Sequence, residues 1–218
     1  MNRIAGALAT PWKIRSEVLR LLCLPRNIAA FRFNGITWGK GWKLHGVPIL
    51  QCHRDSVVTI GDGLGLRSSP RSNPLSPHHP VVISTRLPGS SIRIGRDFAM
   101  TGGTLCADSS ITIGNSVTLG ANTVVMDTDF HPLTPEERAV EPDRGTSVPV
   151  VIEDEVFIGM NCIILKGITL GRGCVVAAGS VVTQSVPPGM LAGGNPAKIL
   201  RELSRPGHVR AVPAVSGR

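Results

Sequence analysis

The chain contains no Tyr at all, and aromatic residues make up only 4% of its 218 residues. Nucleic-acid binding by base stacking is therefore not expected. Charged residues are also few, at 17%. No apolar run approaches the roughly 20 residues that span a bilayer as a helix. The five cysteines (Cys23, Cys52, Cys106, Cys162, Cys174) are odd in number, and no pair has C-x-x-C spacing. A disulfide framework or a zinc ribbon is not expected, and a reducing, cytoplasmic setting fits best. Met1 to Thr10 is too short for a secretory apolar segment before Pro11 and the following charges interrupt it.

What is abundant is Gly (25) and Pro (17), beside 42% hydrophobic residues. That balance excludes disorder and points to short strands joined by tight turns rather than to a helical bundle. The net charge of +8 is unevenly spread. Residues 1–56 hold nine basic and two acidic residues, residues 57–195 nine and twelve, and residues 196–218 five and one. Basic ends around a near-neutral body suit a phosphate-bearing ligand or an anionic membrane surface, or are simply solvated.

Thr10-Pro11 reads as a helix start, and Ile14, Val18, Leu21 and Leu22 form one apolar face at helical spacing. Pro25 is expected to end this helix. Its stripe is expected to pack on the body or on another subunit, with peripheral contact at the inner face of a membrane as the alternative.

The dominant signal is a repeat. Ile152, Ile158, Ile164, Leu170, Val176 and Val182 recur at every sixth position. Four positions after each comes a second small or apolar residue: Val156, Cys162, Ile168, Cys174, Ser180 and Val186. The pattern extends upstream through Ile113, Leu119 and Val125, then through Ile94, Met100 and Cys106 with a shift of one residue. Ile60 and Leu66 form an earlier, weaker pair. A period of six suits neither a helix nor a long alternating strand. It suits a parallel β-helix with one hexapeptide on each flat side, the aliphatic residue inward and a small residue at the corner. Cys162 and Cys174 are then ordinary core positions.

The period breaks twice. Between Val125 and Ile152 a polar loop intervenes, with His131, Asp127 and Asp129 at its entrance. Long loops on a solenoid tend to carry function. A second break covers residues 67–91, with His78 and His79. It reads as a cap on a pocket, a subunit contact or an incidental loop.

Residues 44–203 resemble the hexapeptide-repeat acyltransferase family. The resemblance is strongest in "VFIGMNCIILKGITLGRGCVVAAGSVVTQSVPPGMLAGGNPAKILREL", residues 156–203, and in "FHPL" at the loop mouth. It points to the branch of maltose, galactoside, serine and surface-polysaccharide O-acetyltransferases. The resemblance implies an all-β solenoid, a left-handed parallel β-helix with a short N-terminal and a short C-terminal helix. The expected organisation is a basic segment over 1–43, the β-helix over 44–195 with loops at 67–91 and 127–150, and a helix and flexible tail over 196–218. It implies His131 as general base for transfer of an acetyl group from acetyl-CoA to a sugar hydroxyl. The site would lie between the subunits of a homotrimer, without a metal. Asn122, Asp127 and Asp129 are implied on the acceptor side, although a turn residue and solvated loop carboxylates are the plain alternatives.

On the donor side the resemblance implies Phe157, Gly159, Ala177, Ala178 and Ser180 along the pantetheine groove, with Lys198 and Arg201 near the phosphates. Coil geometry alone would also demand the small residues. The chain departs from the family in carrying Phe157 for Trp, Ala177 for Gly and Gln184 for Lys. A zinc hydratase of the γ-carbonic-anhydrase type, or a non-catalytic scaffold on the same fold, are the competing readings. The first needs three His per metal, and the repeat region offers one.

Overall fold

The computed structural model describes residues 10–203. The reading of residues 1–9 as lacking a secretory segment, and the expected tail over 204–218, lie outside the described residues.

The chain winds as a coil with three flat faces. Face A contains β1 (Lys43–His45), β4 (Gly65–Arg67), β7 (Ala99–Thr101), β10 (Thr118–Leu119), β13 (Phe157–Ile158), β16 (Val175–Val176), β18 (Met190–Gly194) and β19 (Ala197–Glu202). Face B contains β2 (Ile49–Cys52), β5 (Val82–Thr85), β8 (Thr104–Ala107), β11 (Val124–Met126), β14 (Ile163–Ile164) and β17 (Val181–Val182). Face C contains β3 (Val57–Ile60), β6 (Ser91–Ile94), β9 (Ser110–Ile113), β12 (Val150–Ile152) and β15 (Thr169–Leu170). Every pairing between coils is parallel, and only β18 and β19 run antiparallel.

The hexapeptide periodicity builds the core directly. On face A, Leu66, Met100, Leu119, Ile158, Val176 and Ala192 stack in register. On face B the column is Leu50, Ile83, Leu105, Val125, Ile164 and Val182. On face C it is Ile60, Ile94, Ile113, Ile152 and Leu170. The second repeat positions are inward as well, with Val156, Cys162, Ile168, Cys174, Ser180 and Val186 all buried. Burial pushes the thiol of Cys174 up to about 11, so it packs as a small apolar group.

Four expectations are corrected. First, the inward residue after Met100 is Leu105, not Cys106, because the Gly102–Gly103 corner is one residue shorter than its neighbours; Cys106 pairs with Met126 instead. Second, residues 67–91 are not one insertion. Strand β5 runs through their middle, hidden in sequence among Ser and Pro, and leaves a longer excursion at 68–81 and a short turn at 86–90. Third, the helix α1 (Pro11–Phe33) passes through Pro25. An internal Pro costs about 3 kcal/mol, but the turn beyond it is held. The Asn27 amide donates to the Gly46 carbonyl at 3.0 Å, and Phe31 is buried against Trp38 and Trp42 at 5.8 and 5.2 Å. Fourth, no helix forms over 197–202. After the Asn195-Pro196 turn the chain returns as β19 and covers the edge of β18, which would otherwise leave ladder groups unpaired.

Candidate active site

The implied site residues fall at two corners of face B. The corner between faces B and C carries the long loop. Asp127 follows β11 directly and is fully buried. Its carboxylate accepts from the backbone N–H groups of Asp108 and Ser109, both at 2.8 Å. Burial raises its pKa, and these two bonds oppose the shift. Asp127 therefore anchors the loop and offers no free oxygen to an acceptor, contrary to the binding role implied for it. The Thr128 hydroxyl donates to Asp108 Oδ2 at 3.0 Å. Arg86 lies 3.5 Å from Asp108 Oδ1 and stacks 4.8 Å over the Phe130 ring.

The loop then turns tightly, with Phe130 at φ +64° and the His131 N–H donating to the Asp129 carbonyl at 2.7 Å. Asp129 is half-buried and forms an ion pair with Lys166, which also reaches the Thr146 carbonyl at 3.4 Å. Thr128 bridges Ser147, and Asp129 N–H meets Thr146 O, so the loop's two ends run antiparallel. Gly145 is required there: a Cβ would stand 2.7 Å from the His131 backbone nitrogen. The short helix α2 (Pro135–Val140) stiffens the excursion. Thr134 caps it, accepting from the Glu137 N–H at 3.3 Å and donating to the Glu137 carboxylate at 2.8 Å.

His131 itself is exposed. Its Nδ1 lies 2.7 Å from the Pro142 carbonyl and 3.7 Å from Asp143 Oδ1. A carbonyl oxygen can only accept, so Nδ1 carries the proton of the neutral ring. In that tautomer Nε2 carries the lone pair, and no hydrogen bond from a described residue engages it. An imidazole held in this tautomer is equipped to take a proton.

The corner between faces A and B is tight and uncharged. Asn122 and Asn161 occupy left-handed geometry at φ +61° and +55°. The Asn122 amide donates to Asn161 Oδ1 at 3.3 Å, and Asn122 Oδ1 accepts the His78 N–H at 2.9 Å. The 68–81 excursion is thus tied to this corner. Above it, Gly159 sits so close to the next coil that a Cβ would lie 2.5 Å from the Ala178 nitrogen. Ala177 and Ala178 continue the stack. Ser180 is fully buried; its hydroxyl donates to the Ala177 carbonyl at 2.6 Å and accepts from the Gly194 N–H at 3.1 Å. It shapes the corner, and its hydroxyl is not turned outward. Phe157 is exposed on face A, in one row with Thr118, Val175, Leu191 and Arg201. Lys198 is exposed opposite Gly193 on β19.

Within one chain the structure brings Phe157, Gly159, Ala177, Ala178, Lys198 and Arg201 to one surface. His131 and Asp129 lie at the other corner, across the width of face B. Three contributors escaped sequence reasoning: Arg86, Asp108 and Lys166. Arg86 and Asp108 follow the register partners Thr85 and Ala107, so coil stacking puts them together. Lys166, a charge in the middle of the apolar "ILKGITL", was the visible signal. Among the described residues, no group of three or more His, Cys, Asp or Glu is placed to hold a metal ion.

Comparison with known proteins agrees with this geometry. The hexapeptide repeat of succinyl-transferase matches residues 149–184. The galactoside O-acetyltransferase of Escherichia coli (strain K12) is 37% identical over 117 residues, covering 53% of this chain and 56% of that protein. The chain spans about half the length of the first curated relatives it matches. A structure of galactoside acetyltransferase in complex with coenzyme A superposes with a TM-score of 0.55 at 29% identity, covering 68% of this chain and 66% of the other. A hexapeptide-repeat acetyltransferase from Vibrio cholerae, complexed with acetyl coenzyme A, superposes with a TM-score of 0.50 at 28% identity over 92% of each chain.

The coil is thus the left-handed β-helix of stacked hexapeptides. The chain carries the hexapeptide repeat and is similar in sequence and fold to acetyltransferases, among them structures in complex with coenzyme A and acetyl coenzyme A.

Proposed function

We propose that the protein is an acetyl-CoA-dependent acetyltransferase, with a sugar hydroxyl as acceptor and a role in surface polysaccharide or glycolipid synthesis. The observation that carries this reading is the tautomer of His131, with Nδ1–H on the Pro142 carbonyl and Nε2 free. The acceptor O–H gives its proton to Nε2 as its oxygen attacks the thioester carbonyl. The tetrahedral intermediate collapses, the C–S bond breaks, and the imidazolium returns the proton to the leaving thiolate. Products are the acetyl ester and free coenzyme A, with the histidine regenerated. Asp143 Oδ1 stands 3.7 Å from Nδ1.

The donor would lie along the row of Phe157 and the close-packed corner of Gly159 and Ala178, with Lys198 and Arg201 toward its phosphates. Because these groups and His131 occupy different corners of one chain, the complete site is proposed between neighbouring copies of a homotrimer. Asn122 is the proposed acceptor contact from the donor-side corner. Asp129 and Lys166 set the loop from the other.

The test is release of free thiol from acetyl-CoA in the presence of candidate sugars. His131→Ala should lose about 10²–10⁴ in turnover and keep its acetyl-CoA affinity by calorimetric titration. Equal turnover by wild type and variant, or no acetyl-CoA binding by either, would remove the reading.

A further inference from the structure

Helix α1 packs on the first coil with a mixed face, on which Cys23, Leu24 and Ile28 are partly buried. The residues it buries against the first coil are Ser16, Asn27 and Phe31. Ser16 Oγ lies 3.1 Å from His45 Nδ1, and Asn27 donates to Gly46 O. The aliphatic stripe faces away from the body. Ile14, Val18, Leu21 and Leu22 are all exposed, Val18 at 50% and Leu22 at 71%. Pro25 and Ala29 continue the same exposed face at helical spacing, and Phe33 at the end of the helix is 89% exposed. Burying large aliphatic side chains is favourable, and the fold forgoes it here. No described residue covers the stripe.

We propose that α1 lies flat on an anionic membrane surface, with this stripe among the acyl chains and its basic residues at the phosphates. The charge around the stripe selects this occupant. Lys13, Arg15, Arg26 and Arg32 are exposed on the helix. Its only acidic residue, Glu17, is engaged by Arg20 at 2.7 Å. Basic residues near an anionic lipid surface are attracted to it, and long Lys and Arg stems allow the charged ends to reach headgroups while the aliphatic faces insert. A second copy laid face to face would bring the same positive charges together, which disfavours self-association through this face. No described helix is long and apolar enough to cross a membrane, so the contact is along the surface. The inference stands apart from the acetyl-transfer reading, and its test does not use that activity.

The test is cosedimentation of the full chain with vesicles of phosphatidylcholine alone and of phosphatidylcholine mixed with phosphatidylglycerol, at low and high salt. Wild type should partition at least about tenfold more onto the anionic vesicles, and raising salt should reduce the difference. Val18→Ser with Leu22→Ser should lose about tenfold or more of that binding, with unchanged circular dichroism and unchanged mass by light scattering. Arg15→Gln with Arg26→Gln should erode the anionic preference and leave the fold intact. The proposal fails if wild type stays in solution with both vesicles or binds both equally at all salt concentrations. It fails if the serine variant binds like wild type. A fall in mass on making the serine variant would also overturn it, because the stripe would then be a subunit contact.

Discussion

The two corners that flank face B are built on opposite principles. At the A–B corner, backbone meets backbone: Gly159 lies against Ala178, Asn122 against Asn161, and charge is absent. At the B–C corner, charge is taken inside. Asp127 and Asp108 are buried, Arg86 and Lys166 answer from neighbouring coils, and a long loop carries His131 out to solvent. The first corner offers a smooth surface along which an extended ligand can lie close to the chain. The second holds one imidazole in a chosen tautomer. Under the proposed function, ligand binding and proton transfer lie a face's width apart in one chain and are rejoined through assembly.

The contrast can be broken hardest at Gly159. Gly159→Val should cost about 2–3 kcal/mol through overpacking against the Ala178 backbone, read as a fall in thermal midpoint. Gly173→Ala is the control. It meets nothing within 4 Å, and only its φ of +63° is strained, so about 1 kcal/mol is expected. Equal losses would mean that the close approach at the A–B corner is unimportant.

Asp127→Ala should cost about 2 kcal/mol, because it strands the N–H groups of Asp108 and Ser109 in a buried setting. Hydrogen exchange should quicken at the loop base and stay unchanged at the A–B corner. Uniform loosening would show the corners to be one cooperative unit.

Lys166→Met removes the partner of half-buried Asp129. The stability change should stay within about 1 kcal/mol. The acceptor KM or kcat should move and the acetyl-CoA affinity should not.

The smallest effect lies away from both corners. Burial holds His45 below the usual histidine range, helped by Arg67 and opposed by Glu17. The folded state therefore favours the neutral ring, and the unfolded state binds the proton more readily. This contribution is complete above about pH 6.5 and declines as pH falls through that value. Mild acid should loosen α1 in hydrogen exchange before it touches either corner.

The coil was legible because its inward positions repeat at a fixed spacing with residues of one kind. The loop that carries His131 was legible because the period fails there, while the role given to His131 comes from the resemblance. Other features depend on long-range contacts that local pattern does not carry. Pro25 looks like a helix end until Asn27 and Phe31 find the first coil. Strand β5 is masked by flanking Pro and Ser, and only pairing with β2 and β8 reveals it. The last segment was expected as a helix from the resemblance, yet the open edge of β18 claims it. Asp127 and Ser180 were named for outward roles. Coil stacking instead turns their polar atoms toward backbone groups of the neighbouring coils.

The central claim is that one copy supplies the donor corner and its neighbour supplies His131. The direct measurement mixes His131→Ala with Ala178→Trp, each inactive alone, by unfolding and refolding them together. Light scattering would first verify mixed trimers. If the site is shared, random assembly restores about a quarter of the wild-type sites, and thiol release should recover in that proportion. No recovery from verified mixed trimers would contradict the account and return the whole site to a single chain.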